Sequence, residues 1–419
     1  MKTRLPFLAA LALAWALPVH AAPLRLDNDS NGDPLSISAF DGDLRVKLSG
    51  FLDIEGYALP KNAPGLIYAD ESALVNPRLS VFLDGQVGSS IYFFLQARLD
   101  RGFDPSDGPA EVRLDEYAIR YTPWDDGRVS LQVGKFGTVV GNWVKRHLSW
   151  DNPFINAPLP YENLTGVWGE YPAYTSADLL QWAHMPSKQF PYVDPYSDKR
   201  MRVPIIWGPS YASGVSLAGR VGDFDYAVEV KNASLSSAPE YWDVTQEGFE
   251  HPTVSGRIGY RPNMAWNIGL SASSGSYLSP EAKDYLPPGK GLGDYQERVL
   301  AQDISFEWHH FQFWSEVYAA RFEVPMVGHA DTLAYYLEAK YKFTPQFFGA
   351  LRWNQQFFGN IPFEGAEVPW GSDTSRVDAA LGYRFTSNLQ LKLQYSLQND
   401  RWSDPNYSHT LAAQLTYSF

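Results

Sequence analysis

Hydrophobic and polar residues alternate in twos along most of this 419-residue chain. Between Leu44 and Tyr57, one face carries Leu44, Val46, Leu48, Leu52 and Ile54, and the other Arg45, Lys47, Ser49, Asp53 and Glu55. Successive side chains point to opposite sides of a strand, so this stretch predicts a strand with one apolar and one polar face. The rhythm recurs as hairpins: Leu79–Asp84 with Ile91–Asp100, Glu116–Tyr121 with Val129–Val133, and Tyr211–Val221 with Tyr226–Val230. It continues through Val254–Tyr260 with Trp266–Ala272, Ile304–Trp308 with Phe311–Ala319, Leu333–Tyr341 with Phe347–Trp353, and Val377–Phe385 with Leu389–Leu397. The last strand sets Leu411, Ala413, Leu415, Tyr417 and Phe419 against Thr410, Ala412, Gln414, Thr416 and Ser418.

An apolar face repeated on every strand must be covered, and in water an exposed Leu-Tyr-Phe edge invites aggregation. A closed barrel in lipid removes both edge and exposure. A charge on the lipid side near the midplane costs about 2–4 kcal/mol, so the charged faces must line a lumen. Short turns at 261–263, 309–310, 344–346 and 387–388 alternate with long connections at 232–252, 275–297 and 355–374. The expected fold is therefore all-β: a transmembrane antiparallel β-barrel with short periplasmic turns and long extracellular loops. About 16 strands are expected, or 18 if a weak pair near 164–171 and 177–182 is real. A secreted propeller or solenoid would repeat a motif at fixed period, and no such period is visible.

The N-terminus changes the picture only by giving an address. Lys2 and Arg4 precede the apolar run Leu5–Leu17, and Val19-His20-Ala21 is a small-x-small cleavage site. Residues 1–21 thus read as a secretory signal peptide, 22–42 as a polar periplasmic lead-in, and 43–419 as the barrel. No later stretch reaches the roughly 18 apolar residues of a membrane helix. Cysteine is absent, so no disulfide framework is expected. A net charge of −13 argues against nucleic acid as a partner. Aromatics make up 15% of the chain, enough to furnish two interfacial girdles, and the mean hydropathy of −0.29 fits a wall whose inner half is polar.

The candidate chemistry is that of a channel. A barrel of this size leaves an aqueous lumen, and wall charges together with whatever narrows it decide what passes. Arg78, Arg98, Arg120, Asp100 and Glu116 are expected on the pore wall, and Arg128 is placed there too. The alternation breaks over 137–208, and the segment around 137–160 is the candidate constriction. The sequence Gly134-Lys135-Phe136-Gly137 at its start, the turn Gly222-Asp223 before Phe224-Asp225-Tyr226, and the terminal Phe419 together resemble the phosphate-selective (O/P-type) porins and related porins of bacterial outer membranes. The resemblance implies a 16-stranded homotrimer whose third long loop folds into the channel, with anion selectivity from basic residues along the pore. Lys135, Arg146, His147 and Asp151 are the constriction candidates, whereas the acidic residues of the wall speak against phosphate specificity. Phe419 and Tyr417 match the terminal assembly signal of outer-membrane barrels, which implies the barrel-assembly machinery as a partner.

The function expected is passive diffusion of small hydrophilic solutes or ions across an outer membrane, among its lipid and lipopolysaccharide, with no catalytic residues, metal or cofactor. A structural or adhesive barrel is the alternative. An outer-membrane hydrolase is a further one, with His147 near Ser149 and Asp151, or Ser408 beside His409, as the local candidates for its chemistry; triads are recognised by geometry and not by such spacing.

Overall fold

The computed structural model describes residues 35–59, 65–67, 72–101, 110–184, 201–244, 248–400 and 407–419. The expected signal peptide (1–21) and most of the expected lead-in (22–42) lie outside them. The strands are β1 (Ser36–Ala39), β2 (Leu44–Ala58), β3 (Ala73–Val87), β4 (Ile91–Asp100), β5 (Glu111–Tyr121), β6 (Ser130–Lys135), β7 (Ser213–Val221), β8 (Phe224–Lys231), β9 (Thr253–Tyr260) and β10 (Trp266–Ser276). After them come β11 (Gln296–Trp308), β12 (Phe311–Val324), β13 (Gly328–Lys342), β14 (Phe347–Phe358), β15 (Asn360–Phe363), β16 (Ala366–Pro369), β17 (Thr374–Arg384), β18 (Leu389–Asp400) and β19 (Tyr407–Ser418). The long insertion after β6 carries the α-helix α1 (Ser176–His184) among its described residues.

Each strand of β2–β14 and β17–β19 pairs antiparallel with its neighbours in sequence order. The last pairs with the first, Leu415 opposite Ile54 and Tyr417 opposite Leu52, and so closes a sixteen-stranded barrel. At the seam, Phe419 and Gly50 exchange backbone hydrogen bonds at 3.0 and 3.1 Å. Where β19 stops, β1 takes over its place and pairs with Leu44–Lys47. The closing edge is thereby covered along its length, which is what a lipid surround demands of backbone donors and acceptors.

The alternation read in the sequence sorts the two faces. Leu52, Ile54, Ile119, Val133, Leu217, Val228, Leu300, Leu351 and Leu393 stand exposed on the outer wall. A continuous apolar surface of this extent marks a lipid-facing belt. Close to the short turns, ring pairs Phe224–Tyr260 (4.9 Å), Trp266–Phe306 (4.6 Å), Phe343–Phe347 (5.3 Å) and Tyr383–Phe385 (5.0 Å) form an aromatic girdle. Inward, the same strands carry buried Asp53, Glu55, Asn76, Asp100, Arg257, Asp303, Glu316, Glu338, Arg352, Arg376, Asp378 and Lys392.

Three expectations need correction. The weak strand pair is not formed: residues 164–171 are irregular apart from one bridge, Trp168 to Arg202, and 177–182 lie in α1. The reason is local. Thr175 caps the helix, its Oγ1 accepting from the Asp178 N–H while Asp178 accepts from the Thr175 N–H at 2.8 Å, a reciprocal capping box that favours helix. Arg128 is not on the pore wall. It sits exposed in the turn after β5, ion-paired with Asp126 and 5.6 Å over the Trp124 ring. The long connection after β14 is itself structured, as the hairpin β15–β16.

The β4–β5 ladder slips at Gln96/Ala97, pairing Gln96 with Glu116 and Ala97 with Leu114. Asp115 is the extra residue of this β-bulge. Two successive carboxylates, Asp115 and Glu116, are thereby both turned from the lipid side, which strict alternation forbids.

Candidate functional site: a lumen narrowed by an inward-folded insertion

The insertion between β6 and β7 (residues 136–212) leaves the wall and folds across the barrel interior. Its first residues stay near their own side: Thr138 Oγ1 donates to Glu229 Oε1 (2.7 Å) on β8, and the Gly141 N–H donates to Ser271 on β10. The chain then crosses to β12, where Glu316 accepts from the Asn142 and Trp143 backbone N–H groups and from the Tyr161 hydroxyl (2.7 Å). Gly141 is in the left-handed region (φ +74°), and a Cβ there would collide with the Tyr318 and Tyr161 hydroxyls. Only glycine fits this approach.

Farther on, Lys392 of β18 donates to the carbonyls of Ser149 (2.7 Å), Asn152 (3.0 Å) and Phe154 (3.1 Å). Asn354 accepts from the Leu159 N–H, and Asn163 donates to Gln356. Between these contacts runs an alternating chain of charges. Arg146 binds Glu338 (2.5 Å), Arg352 reaches both Glu338 (3.5 Å) and Asp378 (2.9 Å), and Arg376 joins Asp378 (3.2 Å) to Glu162. Three guanidiniums face three carboxylates, and the two ends of the chain belong to the insertion while the middle belongs to the wall. Behind it, Val140, Trp143, Tyr161, Ile205 and Ile206 pack on Val299, Tyr318 and Tyr336 as an apolar core inside the barrel.

The insertion thus occupies the lumen along β10–β18 and leaves space between itself and the short-turn half of β3–β9. There a cavity of about 820 Å³ is bounded by Asp84, Tyr92, Glu116, Arg120 and Gln132 on the wall and by Lys145, His147 and Leu148 on the insertion. A smaller chamber of about 130 Å³, between the insertion and β2, β3 and β19, holds Asp53, Glu55, Asn76, Arg78 and Arg98. His147 and Leu148 border both.

Matching structures point the same way. OmpF of Salmonella typhi, solved in complex with daunomycin, is 12% identical and superposes with a TM-score of 0.56 over 91% of this chain and 100% of that one. In vitro folded OmpT, an outer membrane protein of Vibrio cholerae in its trimer form, gives 11%, 0.52, 90% and 99%. An anion-selective porin from Comamonas acidovorans gives 9%, 0.52, 90% and 100%. What the chain shares with them is the barrel fold. No family model matches the chain, and no curated protein matches it in sequence.

The predicted site residues have separate fates in this geometry. Arg146 and His147 lie side by side on the insertion. Arg146 is buried, held by Glu338 and the Tyr336 hydroxyl, and lies 4.3 Å over the Trp314 ring. His147 donates from Nδ1 to the Val144 carbonyl and accepts at Nε2 from the Tyr211 hydroxyl, both at 2.5 Å. Burial pushes its imidazole down to about 4, so it is neutral at pH 7. Asp151 is exposed on the insertion, five residues beyond Arg146. Lys135 is not gathered with them. It ends β6 in register with Tyr117 and Ser213 and donates to the Leu114 carbonyl at 3.0 Å.

On the wall, Arg78 binds Asp53 (3.1 Å) and Glu55 (2.6 Å), and Arg98 reaches Asp100 (3.4 Å) and Asp115 (3.3 Å). Arg120 donates to Gln132 Oε1 at 2.8–2.9 Å. Glu116 accepts from the Gly137 N–H at 2.8 Å. Neither hydrolase grouping is assembled: both His147 nitrogens are used elsewhere, and His409 Nδ1 meets the Tyr395 hydroxyl at 2.6 Å. The residue that sequence reasoning missed is Lys145. Its ammonium faces the open cavity with no ion pair among the described residues. Its only sequence signal is adjacency to Arg146, and nothing in the sequence decides which of two neighbouring cations is clamped and which is free.

Proposed function

We propose that this chain is an outer-membrane porin through which small hydrophilic solutes or ions diffuse passively. The observation that carries the reading is a closed, lipid-belted barrel whose polar lumen stays open as an 820 Å³ cavity beside the folded insertion. A hydrolase, by contrast, needs a nucleophile and base in contact, and the two histidine groupings do not supply one. Lipopolysaccharide and outer-membrane lipid are the surroundings this belt suits, and Tyr417 and Phe419 at the seam are the residues the barrel-assembly machinery would read.

Filtering rests on the free charges of the open side. Lys145 supplies a cation without an ion pair on the insertion face of the cavity, while Arg146 and His147 act by holding that loop in place. This arrangement favours the anion preference implied by the resemblance to phosphate-selective porins, without a basic ladder that would single out phosphate. A trimer fits a trough on the outer wall, about 1020 Å³, where Gly56, Ala73, Gly349, Ala379 and Ala413 replace large lipid-facing side chains.

Purified protein in a planar bilayer under a KCl gradient tests both levels. Stable conductance steps are expected, with a reversal potential on the anion side, and Lys145→Glu should move it toward cations. A folded barrel giving no steps would end the porin reading. An unchanged potential in Lys145→Glu would remove that residue from the filter.

A further inference from the structure

Most arginines of the lumen are neutralised: Arg78, Arg98, Arg113, Arg257, Arg352 and Arg376 each bind at least one carboxylate. The cations near the short-turn mouth are different. Arg120 spends its guanidinium on the amide oxygen of Gln132, and Arg384 spends its own on the amide oxygen of Gln390 at 2.9 Å. Lys145 makes no hydrogen bond or ion pair among the described residues, while the Asp225 and Asp303 carboxylates act on it electrostatically. A neutral amide acceptor satisfies a donor without cancelling its charge, so Arg120 and Arg384 lack the direct carboxylate partner that the other arginines have.

The same mouth exposes aromatic rings to water. Phe51, Phe82, Phe94 and Tyr92 alternate inward on β2–β4 and are only half-buried, and Trp150 of the insertion joins them. Trp150 lies parallel to Phe51, with centroids 6.5 Å apart and planes within 5°. Phe51 meets Phe82 edge-on at 5.5 Å. Phe82 pairs with Gln96 and Phe94 with Asp84, which makes the two rings diagonal neighbours on one face. Phe94 then lies 5.9 Å from Tyr92. The row ends in a guanidinium on either side: Arg384 at 4.9 Å over Trp150, and Arg120 at 5.6 Å over Tyr92.

A lumen wall meant only for ions gains nothing from half-exposed rings, which lose apolar burial by facing water, and guanidiniums at both ends of the row favour an anionic partner over a neutral one. We infer that this row is a binding track for planar aromatic carboxylates, whose ring stacks on the phenyl faces while the carboxylate reaches the unneutralised guanidiniums and Lys145. Acid groups line the same cavity, and each accepts from a donor of its own. Asp84 accepts from the Tyr92 hydroxyl, and Glu116 from the Gly137 N–H. They bias the track against dianions and toward a single carboxylate. Arg257 at the far rim of the cavity is held by Asp225 and Asp303, so it offers no rival site.

The inference rests on the lumen being accessible, as the porin reading holds, and the test separates the two. Single-channel current of the full-length protein in KCl is recorded while benzoate, 1-naphthoate, cyclohexanecarboxylate or acetate is added. The two aromatic acids should block at concentrations about tenfold lower than cyclohexanecarboxylate, which has the same charge and nearly the same size but no π-face. The double variant Phe82→Leu/Phe94→Leu, which keeps apolar bulk, should erase that ratio, and Arg120→Gln should weaken block by every acid. Equal block by benzoate and cyclohexanecarboxylate in an otherwise conducting pore would overturn the track and leave the porin reading standing. If the folded barrel passes no current, calorimetry of benzoate against cyclohexanecarboxylate on the detergent-solubilised protein decides instead. Tighter binding of benzoate supports the track, and equal affinities refute it.

Discussion

Glu338 receives two guanidiniums, Arg146 from the insertion and Arg352 from the wall, and is fully buried with them. Removing one member of such a buried chain strands the others without a counter-charge, at about 3–5 kcal/mol. Arg352→Met should therefore loosen the insertion more than it unfolds the barrel: larger and noisier conductance steps with little change in the heat-modified mobility of the barrel. Arg146→Glu would set a second carboxylate against Glu338 and should act the same way, by displacing the loop and not by tuning a filter. His147 gives the pH counterpart. Its folded imidazole holds a proton less tightly than the unfolded one, whose ordinary value is 6.5, and protonation would end its acceptance from Tyr211. The stabilisation is complete above about pH 6.5 and is lost as pH falls toward about 4. Current noise rising over that window, and absent from His147→Gln, would verify it; a flat profile would contradict it.

The insertion turns on Gly141, where positive φ and the two tyrosine hydroxyls leave no room for a side chain. Gly141→Val should push the turn off Glu316, costing a few kcal/mol locally and widening the pore, as measured by exclusion of sized polyethylene glycols; an unaltered exclusion size would show that the turn does not set the bore. At this scale the strands were legible in the sequence, because alternation is a local signal imposed by lipid on one side and water on the other. Sixteen strands and the two-residue turn at His309-His310 follow from it. The features that escaped are those set by non-local contacts. Asp115 is turned inward by a ladder slip, Arg128 falls past its strand's end, and the insertion obeys wall residues far away in sequence. The capping pair Thr175 and Asp178 was readable as a helix start, but the surrounding aromatic residues mimic a strand. Arg146 and Lys145 look alike in sequence, and only the position of Glu338 separates a clamp from a free charge.

For the whole molecule, the apolar trough on the outer wall is the feature with a measurable consequence. Filling it by Ala413→Trp with Gly56→Trp should convert a trimer band to a monomer band on unheated SDS gels, with single-channel steps of one-third the aggregate size. A wild-type protein that runs as a monomer after mild extraction would end the trimer reading. Charge is matched unevenly in the lumen at this same scale: Arg146, Arg352 and Arg376 are met by carboxylates around the insertion, whereas Arg120 and Arg384 toward the short turns meet amide oxygens.

The seam between β19 and β2 also dictates a schedule. The two strands that meet there, β2 and β19, bound a run of sixteen that pair in chain order, so the ring cannot be completed until all the strands between them are present. Closure of so long a loop is slow. Until then both edges bear unpaired backbone groups, the state most open to wrong pairing. Phe419 fastens to Gly50, and β1 covers the stretch that β19 is too short to reach. The seam thus acts as a clasp that can fasten only once the strands between β2 and β19 are in place.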